Sequence, residues 1–170
     1  MRSIPKLVAP ALLTVAAFAS PTRAHAAEKA GRFSITAKVG PAIKLDDSFL
    51  QVSASPEFKV AVDGDYNAYF GIAPQFQYTA DVLTMNFPAL FQYDIELPVD
   101  GLYLYPKLYG GLSYVLETGR PAGFIEPAIG LKYQAHEYVH VVLEPVGVPL
   151  YIGRYFAAQF HMFVGVGVDL

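Results

Sequence analysis

From Arg32 to Leu170 apolar and polar residues alternate with a period of two, and nothing else in the chain limits its fold as strongly. That period sends successive side chains to opposite faces of an extended strand, whereas a helix needs apolar residues three and four apart. After the N-terminal run, no segment approaches the ~18 consecutive apolar residues of a membrane-spanning helix. Only 16% of residues are charged while 54% are hydrophobic, against roughly 25% charged in an ordinary soluble domain. The apolar excess is therefore spread over strands.

Eight segments carry the pattern. The first runs from about Arg32 to Leu45, with Phe33, Ile35, Ala37, Val39, Pro41 and Ile43 opposed to Ser34, Thr36 and Lys38. Others follow over Leu50 to Val62, Ala68 to Tyr78, Val82 to Ile95, from Leu102 to about Ser113, Gly123 to Gln134, and Tyr138 to Val146. The last strand ends the chain, setting Phe160, Met162, Val164, Val166, Val168 and Leu170 against Gln159, His161, Gly165, Gly167 and Asp169. Most connectors are a few residues long, which requires antiparallel neighbours, since a parallel crossover takes a dozen residues or more. The exception is a looser segment from Gly147 to Tyr155, the only one with room for a modest contact surface. The fold class that follows is all-β: a closed up-and-down antiparallel barrel of about eight strands. Pro41, Pro56, Pro74, Pro88, Pro106, Pro127 and Pro145 fall one to a strand. Proline donates no amide hydrogen, so these residues are expected at a common belt where bulges bend the strands.

Residues 1–26 stand apart. Arg2 and Lys6 precede the apolar run Leu7 to Ala19, and Ala24-His25-Ala26 offers small residues flanking a cleavage point. This is the pattern of a secretory signal peptide, leaving residues 27–170 as one barrel domain. Removing Arg2, Lys6 and Arg23 leaves nine basic residues against fifteen acidic ones. Nothing basic is clustered, which argues against a nucleic-acid partner. Cysteine is absent, so no disulfide holds the domain.

Alternation alone fits two opposite proteins. A soluble lipocalin-like carrier turns its apolar faces inward around a ligand, while a membrane barrel turns them outward to lipid. The polar faces here are poor in charge and rich in Gly, Ala, Ser, Thr and Tyr, which suits a filled lumen. The strands have ~10 to 14 residues, and ~9–11 cross a bilayer core when tilted. Phe33, Phe58, Tyr78, Tyr93, Tyr114, Tyr133 and Phe160 recur near strand ends, as interfacial girdles do. These features predict a transmembrane β-barrel in the outer membrane, with the periplasmic carrier as the alternative.

The signal peptide, the even-numbered meander and the C-terminal strand QFHMFVGVGVDL resemble the small outer-membrane β-barrel proteins of OmpA/OmpX type. The resemblance spans the mature chain, is architectural, and implies outer-membrane lipids as surroundings. It further implies that the last strand addresses the barrel-assembly machinery through apolar residues at alternate positions. Val164, Val166, Val168 and Leu170 match those positions, although Leu170 stands where an aromatic is usual. With both termini periplasmic, the turns at Asp46 to Ser48, Thr79 to Asp81, Glu117 to Pro121 and Gly147 to Tyr155 would face outward. Those at Asp63 to Asn67, Glu96 to Gly101 and Ala135 to Glu137 would face the periplasm.

Chemistry is sparse. A turn centred near Leu150 and Tyr151 would set His140 and His161 opposite each other, but no inward Ser or Thr adjoins either by that register, and no metal-binding spacing occurs. No catalytic residue, metal site or cofactor is expected; a lipid-modifying outer-membrane enzyme would need a Ser-His or Asp-His set near a rim. What remains is a set of inward polar groups expected to form a structural charge network: Lys38, Glu57, Lys59, Lys107, Glu126, Lys132, His140, Glu144 and His161. An eight-stranded barrel is just wide enough for side chains to fill, so these predict a plug of ion pairs. Lys38 and Glu57 should pair: a residue-number total of 95 places them opposite, and a total of 93 makes them diagonal neighbours.

Overall fold

The computed structural model describes residues 33–45, 50–65, 67–79, 82–116, 119–153 and 156–170. The expected signal peptide and the Asp46 to Ser48 turn lie outside them. Eight antiparallel strands close into a barrel. They are β1 (Phe33–Lys44), β2 (Leu50–Ala61), β3 (Ala68–Ile72 continued by Gln75–Thr79) and β4 (Val82–Tyr93 continued by Ile95–Glu96). Then come β5 (Leu102–Val115), β6 (Arg120–His136), β7 (Val139–Gly147 continued by Leu150–Ile152) and β8 (Phe156–Asp169). Each strand pairs with the next, and β8 returns to β1 from Ser34↔Asp169 to Lys44↔Gln159. Phe33 and Leu170 exchange both backbone hydrogen bonds, at 3.2 and 2.7 Å. With an even strand number both chain ends of the barrel lie at one rim, the terminal rim; the other is the distal rim.

Inward and outward faces follow the alternation on all eight strands. Val39, Val52, Ile72, Phe87, Leu112 and Val164 are more than half exposed on the outside. Inside, Lys38, Glu57, Lys107, Glu126, His140 and Glu144 are buried. This is the reverse of a carrier with an apolar cavity. A strand in water would gain by hiding those valines and leucines; a strand in lipid has no such need. Phe58, Tyr93, Tyr133 and Tyr138 ring the outside toward the terminal rim and Tyr78 and Tyr114 toward the distal one, all exposed.

The prolines sit differently from the expected belt of bulges. Five keep regular pairing with one neighbour, as in Pro41↔Val52, Pro56↔Ala37, Pro88↔Gly111, Pro106↔Ile129 and Pro127↔Leu108. The ladder on the other side is interrupted instead. Between β1 and β8 it stops after Val39↔Val164 and resumes at Ala42↔His161, skipping Pro41. Between β2 and β3 it is broken where Pro56 faces Pro74. A residue's N–H points to one neighbour only, so a proline costs one rung on one side. Of the seven prolines only Pro145 sits at a bulge: Val146 pairs with Ile129, but Leu143 pairs with Leu131.

The segment read as a loose connector is largely strand. Leu150–Ile152 pairs with both β6 and β8, and Tyr151 points inward and is buried. Likewise Arg120 and Pro121 belong to β6, as do Ala135 and His136, so the turns at those ends are shorter than the alternation implied.

A buried ion cluster as the candidate functional site

Glu57 and Glu144 meet three ammonium groups at the centre of the lumen. Strand β2 supplies Glu57 and Lys59, β1 supplies Lys38, β5 supplies Lys107, and the bulged part of β7 supplies Glu144. Lys38 Nζ lies 2.6 Å from Glu57 Oε1 and 3.0 Å from Glu144 Oε2. Lys107 Nζ lies 3.0 Å from Glu57 and 3.2 Å from Glu144. Lys59 Nζ stands further off, 3.6 Å from Glu57 Oε2. The observed total for the β1–β2 pair is 93, with Thr36↔Glu57 and Lys38↔Ser55, so Lys38 and Glu57 are the diagonal neighbours of the second register.

Tyrosines complete the coordination. Lys38 donates to Tyr109 Oη at 2.6 Å, and Tyr109 Oη donates to Glu57 Oε1 at 2.6 Å. Lys38 thus has three acceptors for three N–H donors, the full capacity of an ammonium group. Its Nζ also sits 4.6 Å from the ring centroid of Phe163, and Lys107 Nζ sits 4.6 Å from that of Tyr105, distances at which aromatic faces attract cations. Tyr105 has its place because β6 carries Gly130 opposite it: a Cβ on Gly130 would come within 2.3 Å of the tyrosine ring. Burying an unpaired ion costs several kcal/mol, and the mutual pairing of these five ionisable groups offsets that cost.

The remaining expected residues form satellite groups. Lys132 binds Asp94, which accepts from Gln92 at 2.6 Å, and Gln92 accepts from Lys59 at 3.1 Å, linking this pair to the centre. Glu126 contacts His161 at 2.9 Å and accepts from Gln75 at 2.8 Å. His140 contacts Asp169 at 3.0 Å.

The two histidines do not face each other. His140 pairs with Gly167 and His161 with Gly147, because the strand extension through Ile152 moves the turn and the Pro145 bulge shifts the register. The expectation that no hydroxyl adjoins them is also overturned: Thr36 Oγ1 lies 3.0 Å from His140 Nε2. Thr36 is two strands away, and the pairing Thr36↔Gly167↔His140 explains the contact. Gly167 has no side chain, so the hydroxyl and imidazole meet above it. A Cβ there would come within 2.3 Å of His140 Nε2.

Thr36, His140 and Asp169 therefore line up as hydroxyl, imidazole and carboxylate, the order of a nucleophile, a base and its orienting group. All three are at most 1% exposed. A reacting carbonyl needs a position about 3 Å from both nucleophile and oxyanion donors; the burial of all three groups holds this line away from solvent.

Sequence reasoning missed Asp94, Asp169, Tyr105, Tyr109 and Tyr151 as members of the network. The first four stand on the polar face by simple alternation and were within reach; Tyr151 was hidden by the Gly147-Val148-Pro149 run before it, which reads as loop.

No protein-family model matches the sequence, and no curated protein does. Solved structures do match. Neisserial surface protein A is similar at 18% identity over 84% of this chain and 100% of its own, with a TM-score of 0.64. The N-terminal β-barrel domain of Pseudomonas aeruginosa OprF has 11% identity over 84% of this chain and 100% of its own, with a TM-score of 0.57. Ail, the attachment invasion locus protein of Yersinia pestis, has 11% identity over 81% of this chain and 96% of its own, with a TM-score of 0.51. The fold is that of the small eight-stranded transmembrane barrels found in bacterial outer membranes.

Proposed function

We propose that this chain is an outer-membrane barrel with a structural or surface-exposed role, a lumen closed by side chains, and no catalysis. The observation that carries the reading is the cross-section itself, with valine and leucine outside and saturated ion pairs inside. Lipid is the natural solvent for such an exterior. In the interior Lys38, Lys107, Glu57 and Glu144 reach across the lumen from four strands and occupy the path an ion would take. Export through the expected signal peptide at residues 1–26 and delivery to the assembly machinery by the final strand belong to the same proposal. The outward positions of Val164, Val166, Val168 and Leu170 support that delivery.

The sealed Thr36–His140–Asp169 line favours a role in holding β1, β7 and β8 together over a role in acyl transfer. Purified protein refolded into planar bilayers should show no discrete conductance steps; regular single-channel openings would overturn the plug. In cells the protein should sediment with the membrane fraction and show heat-dependent gel mobility, whereas release with the periplasmic contents would contradict a membrane barrel.

Orientation gives a further expected result. With the terminal rim periplasmic, a single cysteine at Asp65 is protected from an impermeant thiol reagent on intact cells, and one at Arg120 is labelled. The chain's own lack of cysteine makes the assay clean. Labelling at Asp65 but not at Arg120 would reverse the assignment.

A further inference from the structure

Five buried side-chain oxygens in the described residues have no hydrogen-bond partner: Gln51 Oε1, Ser53 Oγ, Ser55 Oγ, Gln77 Oε1 and Asn86 Oδ1. Their placement is not scattered. Gln51, Ser53 and Ser55 are successive inward positions on β2, and the next is Glu57 of the ion cluster. Inward residues two apart on a strand are separated by roughly 7 Å, so the three oxygens step from the cluster toward the distal rim. Gln77 on β3 and Asn86 on β4 flank the same wall. Leu90, Tyr109, Phe124, Ala128 and Tyr151 pack together in a buried cluster, with the Glu126–His161 pair beside it.

At its outer end the file opens into a cavity of about 400 Å³, partly open at the distal rim, lined by Gln51 together with Thr84, Ser113, Tyr151 and Gln159. The side chain of Gln51 is 4% exposed. On the terminal side of the cluster none of the described residues carries such an oxygen; Thr36, Asp94, Lys132, His140 and Asp169 are all bonded.

We infer that the lumen is hydrated on one side only: a blind vestibule of bound water runs from the distal rim along Gln51, Ser53 and Ser55 and ends at Glu57. The chemistry selects the occupant. Gln51, Gln77 and Asn86 leave carbonyl oxygens that only accept, the hydroxyls of Ser53 and Ser55 both accept and donate, and the amide nitrogens of Gln77 and Asn86 already donate, to Tyr151 Oη at 2.8 and 3.3 Å. The three amide oxygens must therefore be met by donors, which a bare anion does not have. The cluster at the closed end holds three lysines and two glutamates, a net positive charge that repels a cation. Water satisfies both conditions, and buried water is normally found on two to four such polar atoms. The inference rests on the lumen being closed at its centre, as proposed above.

The test uses single cysteines at Ser53, Ser55 and Thr36 in the full-length refolded protein, with methyl methanethiosulfonate as a small neutral thiol reagent. Ser55 is level with Lys38, and Thr36 is level with Glu57, one step nearer the terminal rim. Cysteines at 53 and 55 should react about tenfold or more faster than one at 36, because a sealed position reacts only through local opening. Rates at 53 and 55 no faster than at 36 would overturn the vestibule. Fast reaction at all three would overturn its one-sidedness, and the conductance measurement then judges the plug separately. Should Thr36→Cys fail to fold, magnetisation transfer from water in the unsubstituted protein decides: cross-peaks to Ser53 and Ser55 and none to Thr36 are expected, and their absence at Ser53 and Ser55 refutes the proposal.

Discussion

Glu57→Gln lowers folding stability by about 3–5 kcal/mol, the cost of leaving buried charge without its partner. The glutamine keeps the shape of the side chain, removes its charge and replaces one acceptor oxygen by an NH2 donor. Glu57 is the hub of the cluster, within 3.6 Å of Lys38, Lys59 and Lys107. Without it Glu144 is the one carboxylate left beside Lys38 and Lys107, and Tyr109 exchanges its 2.6 Å carboxylate acceptor for a neutral amide. A urea titration of the refolded protein in micelles or vesicles reads the loss as a lower midpoint with an unchanged slope. The double variant Glu57→Gln with Lys38→Met restores the charge balance and should recover part of the loss, the non-additivity expected of residues in one network. An unchanged midpoint for Glu57→Gln would mean that these groups are solvated and that the centre of the barrel is wet.

Val164→Lys tests the other side of the wall. Val164 pairs with Val39 and Leu143, is 52% exposed, and lies midway between Phe160 and the end of β8. Lysine there should cost about 2–4 kcal/mol, as a cation does at the bilayer midplane, while Val168→Lys, close to the terminal rim, should cost about 0–1 kcal/mol. The gradient is the informative quantity. Two lysines on a water-facing surface would differ little, so equal tolerance at the two positions would contradict a lipid-facing belt.

Alternation within the sequence was enough to assign the inward and outward faces of every strand, and with them the burial of all nine groups from Lys38 to His161. It could do so because the direction of a strand side chain is set by the backbone of its immediate neighbours. It also left the two registers of Lys38 and Glu57 open in a form the pairing could resolve.

What the tertiary structure alone decided are the meetings between residues distant in sequence. Glu144 reaches Lys38 and Lys107 across the lumen, and of seven strand prolines offering the same local signal it is Pro145 that takes the bulge. Thr36 touches His140 because a glycine lies between them in register, two strands apart. Tyr151 enters the lumen because Leu150–Ile152 finds partners on β6 and β8, which outweighs the loop-like composition around Pro149. Closure determines which inward groups lie across from one another, and closure depends on the register of all eight strands together. A pattern of period two, repeated along one strand at a time, holds no information about that sum.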